Sequence, residues 1–430
     1  MIIVDRALEK REAEGNPIRV GLIGAGYMGA GIALQYLTPL TGQRLVAIAN
    51  RTVETAERVY REAGADAITH VETVAALEKA IASDKYTVTD NPALLCEAGN
   101  IDAVIEATGE IEFGAQFVLK AMEHGKHVVL MNAELDATIG PILKVYADRA
   151  GVVITNTDGD EPGVAMNLYR FVRSLGYEPV VAGNLKGMLD HYRTPQTQRE
   201  FAEKYNQKPV LITSFADGTK LSMEATVLAN ATGFGVAKRG MYGHACDHVN
   251  DALKLFSIDQ VRERGIVDFL LGAEPYTGAF VLGYNEHPVK RQYMNYFKMG
   301  DGPLYLFYTP FHLPHLQIAD TVARAVLFDD ATVAPAGRPR TDVLTMAKRD
   351  LKAGERLDGI GGFTCYGMIE NADVSLAQRL LPMGLSGGCV LKRDVAKDHA
   401  ITYDEVELPA GRLCDRVREE QTAHFAADAA

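Results

Sequence analysis

The chain has 430 residues, of which 47% are hydrophobic and 23% charged, enough apolar material for two or three domains with cores of their own. A formal net charge of -12 argues against nucleic acid or an anionic membrane as the main partner and leaves a small molecule. Five cysteines (Cys96, Cys246, Cys365, Cys389, Cys414) lack disulfide or zinc spacing, and no secretory leader or long apolar span is visible, so a soluble cytoplasmic protein is expected.

The first predicted strand, Ile18 to Ile23, runs into Gly24-Ala25-Gly26-Tyr27-Met28-Gly29 and then into helical spacing. In that context the three glycines serve a tight turn, close approach to a pyrophosphate and helix packing, and the helix N-terminus faces the anion. A second strand, "RLVAIAN", ends at Asn50, where a ribose contact is expected. That end carries no acid. Asn50-Arg51-Thr52 supplies an amide, a guanidinium able to pair with a 2'-phosphate, and a hydroxyl, which favours NADP(H) over NAD(H). Two further strands, Ala103 to Glu106 and Val128 to Met131, end in Ala107-Thr108-Gly109 and Asn132, where the nicotinamide is expected.

A short strand is predicted over Gly151 to Ile154, followed by the acidic corner "NTDGDEPG". Asp160 and Glu161 are expected to face inward, as general base or as oxygen ligands of manganese or magnesium, with Asp158 nearer the outside of the turn. The next strand, "PVVAG", leads to Lys186, a cation able to polarise a carbonyl or move a proton. Arg193 precedes a helix predicted from about Pro195 and is a candidate anion anchor. Asp217, Lys220, Glu224 and Asn230 interleave with apolar residues on one helix; Lys220 and Glu224 share a face, either as an exposed ion pair or lining a pocket. Arg239 and His244 follow a glycine-rich loop as a candidate phosphate grip. "LPHLQIADTVARAVLFDDATV" reads as an amphipathic helix, Ala334 to Asp342 as a linker, and "YGMIENADVSLAQRL" as helical. Lys-Arg-Asp recurs at Lys348 and Lys392, which suggests related hairpin units in a small β domain.

The segments "TDGDEPGVAMNLYRFV", "GNLKGMLDHYRTPQTQ", "ITSFADGTKLSMEATVLANATG" and the tail from about residue 340 carry a resemblance spanning nearly the whole chain. The sequence resembles the homoserine dehydrogenase superfamily and, within it, the 1-deoxy-D-xylulose 5-phosphate reductoisomerase-like proteins with a C-terminal SAF domain. Homoserine dehydrogenases follow the corresponding strand with Asn-Lys; here Asn132 is followed by Ala133, so the catalytic lysine of that pair is missing. The resemblance implies an α/β fold class: an N-terminal Rossmann domain over 1–155, a central α+β substrate and dimerisation domain over 156–335 whose last helix returns to the Rossmann domain, and a SAF-like β-clip domain over 336–430. It also implies a homodimeric NADP-dependent oxidoreductase or reductoisomerase acting on a sugar phosphate or sugar acid, with 1-deoxy-D-xylulose 5-phosphate and isoprenoid biosynthesis as one assignment. In its site Lys186, Asp160, Glu161 and Lys220 are expected to be catalytic, and Arg193, Asp217, Glu224, Asn230, Arg239 and His244 to hold substrate. Plain hydroxy-acid dehydrogenation and a non-catalytic cofactor sensor stay open.

Overall fold

The computed structural model describes residues 4–38 and 40–427. The chain forms two compact units, each assembled from separate stretches: 1–159, 313–334 and 412–430 make the first, 160–312 and 335–411 the second. No helix among the described residues is long and apolar enough to cross a membrane.

In the first unit β1 (Ile18–Ile23), β2 (Gln43–Ala49), β3 (Ile68–His70), β4 (Tyr86–Thr89), β5 (Ala103–Glu106), β6 (His127–Leu130) and β7 (Ile154–Asn156) form one sheet in the order β3-β4-β2-β1-β5-β6-β7. Every pairing is parallel. Helices cover the sheet, so the inner strands read as unbroken apolar runs such as Val20, Leu22, Ile48, Ile105 and Val129. Ile318 and Val322, from the helix Ile318–Phe328, belong to the same core. The strand expected over Gly151 to Ile154 starts at Ile154, because Gly151 takes φ 69° to end the helix Ala133–Ala150.

The second unit is built on β8 (Glu178–Lys186), β9 (His244–Ala245), β10 (Ile266–Leu271), β11 (Ala279–Tyr284) and β12 (Leu304–Thr309), in the order β12-β11-β8-β10-β9. One face packs on the helices Glu161–Ser174 and Thr219–Thr232 through Val164, Leu228, Ala182 and Val267. On the other, Leu185 and Phe280 cluster with Phe256 and with Val261 of the helix Ile258–Arg264. The tail adds two antiparallel pairs, β13 (Thr341–Ala347) with β14 (Cys365–Asn371) and β15 (Val390–Leu391) with β16 (Val406–Glu407).

Two local expectations differ from the structure. The helix expected from about Pro195 begins at Arg199, since Thr194 donates its N–H to the Thr197 hydroxyl at 2.9 Å and the intervening residues form a turn. Much of "YGMIENADVSLAQRL" is not helical: Cys365–Asn371 is a strand buried on both faces, so it lacks the alternation that marks a half-exposed strand, and only Ala372–Ala377 is helix.

Candidate functional site

Each unit carries one constellation. In the first it is the crevice at the carboxyl ends of β1 and β5, where the strand order reverses. Gly24 sits at φ 106°, and a Cβ there would lie 2.8 Å from the Ala107 carbonyl oxygen; one at Gly29 would run into the Gly24 carbonyl. Gly26 differs, because a Cβ there would meet nothing within 4 Å. Exposed, it opens the helix Tyr27–Leu37 without a side-chain cap, the surroundings a pyrophosphate requires. These residues fit a dinucleotide. The partly buried Met28 follows the half-exposed Tyr27 on the first turn.

At the end of β2, Asn50 accepts the Ala25 N–H at 3.1 Å and donates to the Thr52 carbonyl at 2.9 Å, pinning the glycine turn, while Arg51 is exposed. Beyond β5 and β6 the Thr108 N–H and hydroxyl and the Asn132 amide converge on Glu106, with Gly109 turning at φ 70°.

In the second unit Asp160 is the N-cap of the helix Glu161–Ser174, whose first turn Pro162 stiffens. Adjacent Glu161 is buried and lies 3.4 Å from the Lys186 Nζ; Glu224, buried on the helix Thr219–Thr232, lies 3.7 Å from the same nitrogen. Lys186 is the last residue of β8, where a central strand delivers it next to a helix N-terminus. Asn184, two residues earlier and so on the same face, donates to Glu224 at 3.3 Å. His312 Nε2 stands 3.5 Å from Glu161, and its Nδ1 2.9 Å from the Thr277 hydroxyl.

The electrostatics divide the acids. Burial and the neighbouring Glu161 raise Asp160 to about 6. Burial opposes ionisation of Glu161 too, but Lys186 and His312 outweigh it and bring Glu161 down to about 2. Burial and the charge of Glu161 push Glu224 well up. Lys186, despite its own burial, is raised by Glu224 and Glu161 and stays protonated. The charge of Lys220 acts on both Asp160 and Glu224. One carboxylate oxygen from each of Asp160, Glu161 and Glu224 falls within 4.8 Å of the others, a spacing that suits a divalent cation.

The other candidates are engaged elsewhere in the same unit. Arg193 pairs with Asp190 at 3.0 Å, and Asp217 with Lys348 at 2.9 Å. Asn230 accepts the Arg340 and Thr341 N–H groups, holding the expected linker, and Arg239 pairs with Glu370 at 2.8 Å. His244 lies opposite Leu270, which lies opposite Leu185, so it points to the face of the sheet away from Lys186. Asp158, expected outside its turn, is buried in the first unit against Arg324 at 2.6 Å and the Thr332 hydroxyl at 2.6 Å. Sequence reasoning passed over Asn184, His312 and Glu106. Only Glu106 left a trace, as a carboxylate closing an apolar strand.

Residues 159–318 match a family model described as "Oxidoreductase DRL, catalytic domain", and residues 18–130 match "Oxidoreductase family, NAD-binding Rossmann fold". A homoserine dehydrogenase of Methylobacillus glycogenes is 35% identical over 123 residues, 28% of this chain and 26% of that protein. One from Pseudomonas aeruginosa is 29% identical over 138 residues, 32% of this chain and 28% of that protein. The chain therefore spans little more than a quarter of the length of these relatives. Among solved structures, a probable dehydrogenase from Thermotoga maritima aligns at TM-score 0.45 and 11% identity over 74% of this chain and 91% of that one. Both matched models are described as oxidoreductase families, and the one over residues 18–130 fits the parallel Rossmann sheet of the first unit.

Proposed function

We propose that the chain is an NADP(H)-dependent oxidoreductase or reductoisomerase acting on a small polyhydroxylated sugar phosphate or sugar acid. The observation that carries this reading is the cluster around Lys186: one cation held protonated between the side chains of Glu161 and Glu224, with a third acid, Asp160, poised at about 6. A bound nicotinamide supplies or accepts the hydride. Lys186 Nζ donates a hydrogen bond to the substrate oxygen that gains or loses charge, and Asp160 gives or takes the proton near neutral pH. Glu161, ionised, holds Lys186 and His312 in place.

Preference for NADP(H) rests on exposed Arg51 at an acid-free strand end, with Asn50 committed to the turn. Ala133, in place of a lysine after Asn132, speaks against homoserine as substrate. The β-rich segment 341–407 is read as a SAF-like element covering a polar substrate, and the protein as a cytoplasmic homodimer. A second reading of the cluster is favoured by its three convergent carboxylates: Asp160, Glu161 and Glu224 would hold manganese or magnesium, a Lewis acid for vicinal substrate oxygens. The test is a screen of sugar phosphates and sugar acids, with and without either metal, followed by nicotinamide absorbance. Turnover of a member of these classes supports the reading. Turnover confined to simple hydroxy acids overturns it.

A further inference from the structure

At the end of β5 the first unit buries a carboxylate that the reading above leaves unused. Glu106 is fully inaccessible. Its Oε1 accepts the Thr108 N–H at 2.9 Å and the Thr108 hydroxyl, and its Oε2 accepts the Asn132 amide at 2.8 Å. Asn132 cannot reverse its amide, because its Oδ1 accepts the Leu135 N–H at 3.1 Å to cap the following helix. Three donors therefore converge on one side chain, an arrangement suited to an ionised carboxylate, which only accepts. Gly114 leaves the room: a Cβ there would lie 3.1 Å from the Glu106 carboxyl carbon.

The position gives this charge a target. In a doubly wound dinucleotide fold the two halves of the sheet take the two nucleotides, and the crevice opens where β1 and β5 adjoin. Asn50 marks the adenosine side, so β5 and β6 belong to the nicotinamide side. Residues 107 and 108, immediately after Glu106, pack against the glycine turn at Gly24.

We propose that Glu106 discriminates between the redox states of the cofactor, its buried carboxylate favouring the oxidised, cationic nicotinamide over the reduced, neutral one. The inference rests on the nicotinamide reading but not on the choice of substrate or of NADP over NAD. The two redox forms share their phosphates and riboses, so the ratio of their affinities isolates the charge on the ring. A unit charge acting over about 10 Å through partly polar protein changes that ratio by about tenfold.

Burial raises the Glu106 pKa while its three donors oppose the rise. The helix Ile111–Glu123 offers it Gly114, the end of β6 offers Asn132, and the helix Ala133–Ala150 offers Glu134, whose charge acts on it. Acid should therefore raise the dissociation constant of the oxidised form relative to the reduced one.

The experiment titrates the full chain and its Glu106→Gln variant with NADP+, NADPH, NAD+ and NADH by calorimetry, between about pH 5 and 8. The expected result is a loss of about tenfold in the preference for the oxidised form in the variant, and the same drift in the unaltered chain as the pH falls. Equal weakening of both forms makes Glu106 merely structural and overturns the proposal. If the variant does not fold, a ratio in the unaltered chain that is independent of pH overturns it as well. Failure of the unaltered chain to bind any of the four overturns the nicotinamide reading itself, a distinct outcome.

Discussion

Asp136 is the residue whose environment departs furthest from what a sequence can show. It lies on the helix Ala133–Ala150, buried, bonded to the Asn156 amide through one oxygen while the other is buried without a partner. Burial raises its pKa to about 7. A carboxyl raised in the folded state favours folding below its unfolded pKa, and that contribution is lost as the pH climbs toward 7. Between pH 5 and 8 the first unit should lose roughly 3 kcal/mol through this group, and Asp136→Asn should flatten the slope. Urea denaturation at the two pH values checks this; parallel slopes would rule it out. Lys186 presents the opposite case, a cation whose removal leaves Glu161 and Glu224 facing each other. Lys186→Met should cut turnover by about 100-fold while leaving NADPH affinity nearly unchanged, read by stopped assays and by titration. Near-normal turnover would return Lys186 to a structural role. Asp160→Asn separates proton transfer from metal binding, since only a ligand's loss raises the manganese concentration needed for half-maximal rate.

Among the elements, the helix Ala133–Ala150 needs help from outside itself. Pro141, in its interior, has no N–H to give and crowds the carbonyl one turn back. The helix Leu413–Ala427 supplies bonds at that place: buried Gln421 accepts the Ile142 N–H at 3.2 Å, and Arg418 donates to the Thr138 carbonyl at 2.7 Å. Glu112 in turn accepts the Leu413 and Cys414 N–H groups at the start of that helix. Gln421→Leu should destabilise the first unit by about 1–3 kcal/mol, the cost of a buried N–H left without a partner, while exposed Glu419→Ala leaves it unchanged. Equal melting of both variants would show the brace to be incidental. Four strands of the dinucleotide sheet, β1, β2, β5 and β6, were legible because glycines or polar residues follow their carboxyl ends before helical spacing resumes, whereas β3 and β4 went unread. β14 was not, since a strand buried on both faces has no period to read. Nor was the brace, because nothing near Pro141 in the sequence points 280 residues ahead.

At the scale of the molecule the chain leaves the first unit after Gly159, returns at Leu313, leaves again after Ala334 and returns at Arg412. Linear reading finds the acidic corner, and the resemblance implies the first return, but the return at Arg412 depends on long-range packing that local spacing does not encode. The two Lys-Arg-Asp motifs show the same limit. Both follow a strand, β13 and β15, yet Lys392 is exposed, whereas Lys348 is almost wholly buried. All three Lys348 donors are met, by Asp217 at 2.9 Å and by the Arg193 and Gly362 carbonyls at 2.8 Å each. Asp217 also accepts the Thr219 N–H at 2.9 Å, at the start of the helix that carries Lys220 and Glu224. Besides the Arg239–Glu370 pair and the bonds to Asn230, the tail is thereby tied to the body of the second unit by a buried ion pair, and removing one partner should cost far more than removing both. Lys348→Met should destabilise the second unit by about 3–5 kcal/mol, since it strands the Asp217 charge. Adding Asp217→Asn should recover much of that, because an amide oxygen still accepts from Thr219 and no charge is left buried. Lys392→Met should change nothing. Denaturation of the four chains decides the matter: if the double variant is as unstable as Lys348→Met alone, then the carbonyls of Arg193 and Gly362, rather than the ion pair, fix the tail.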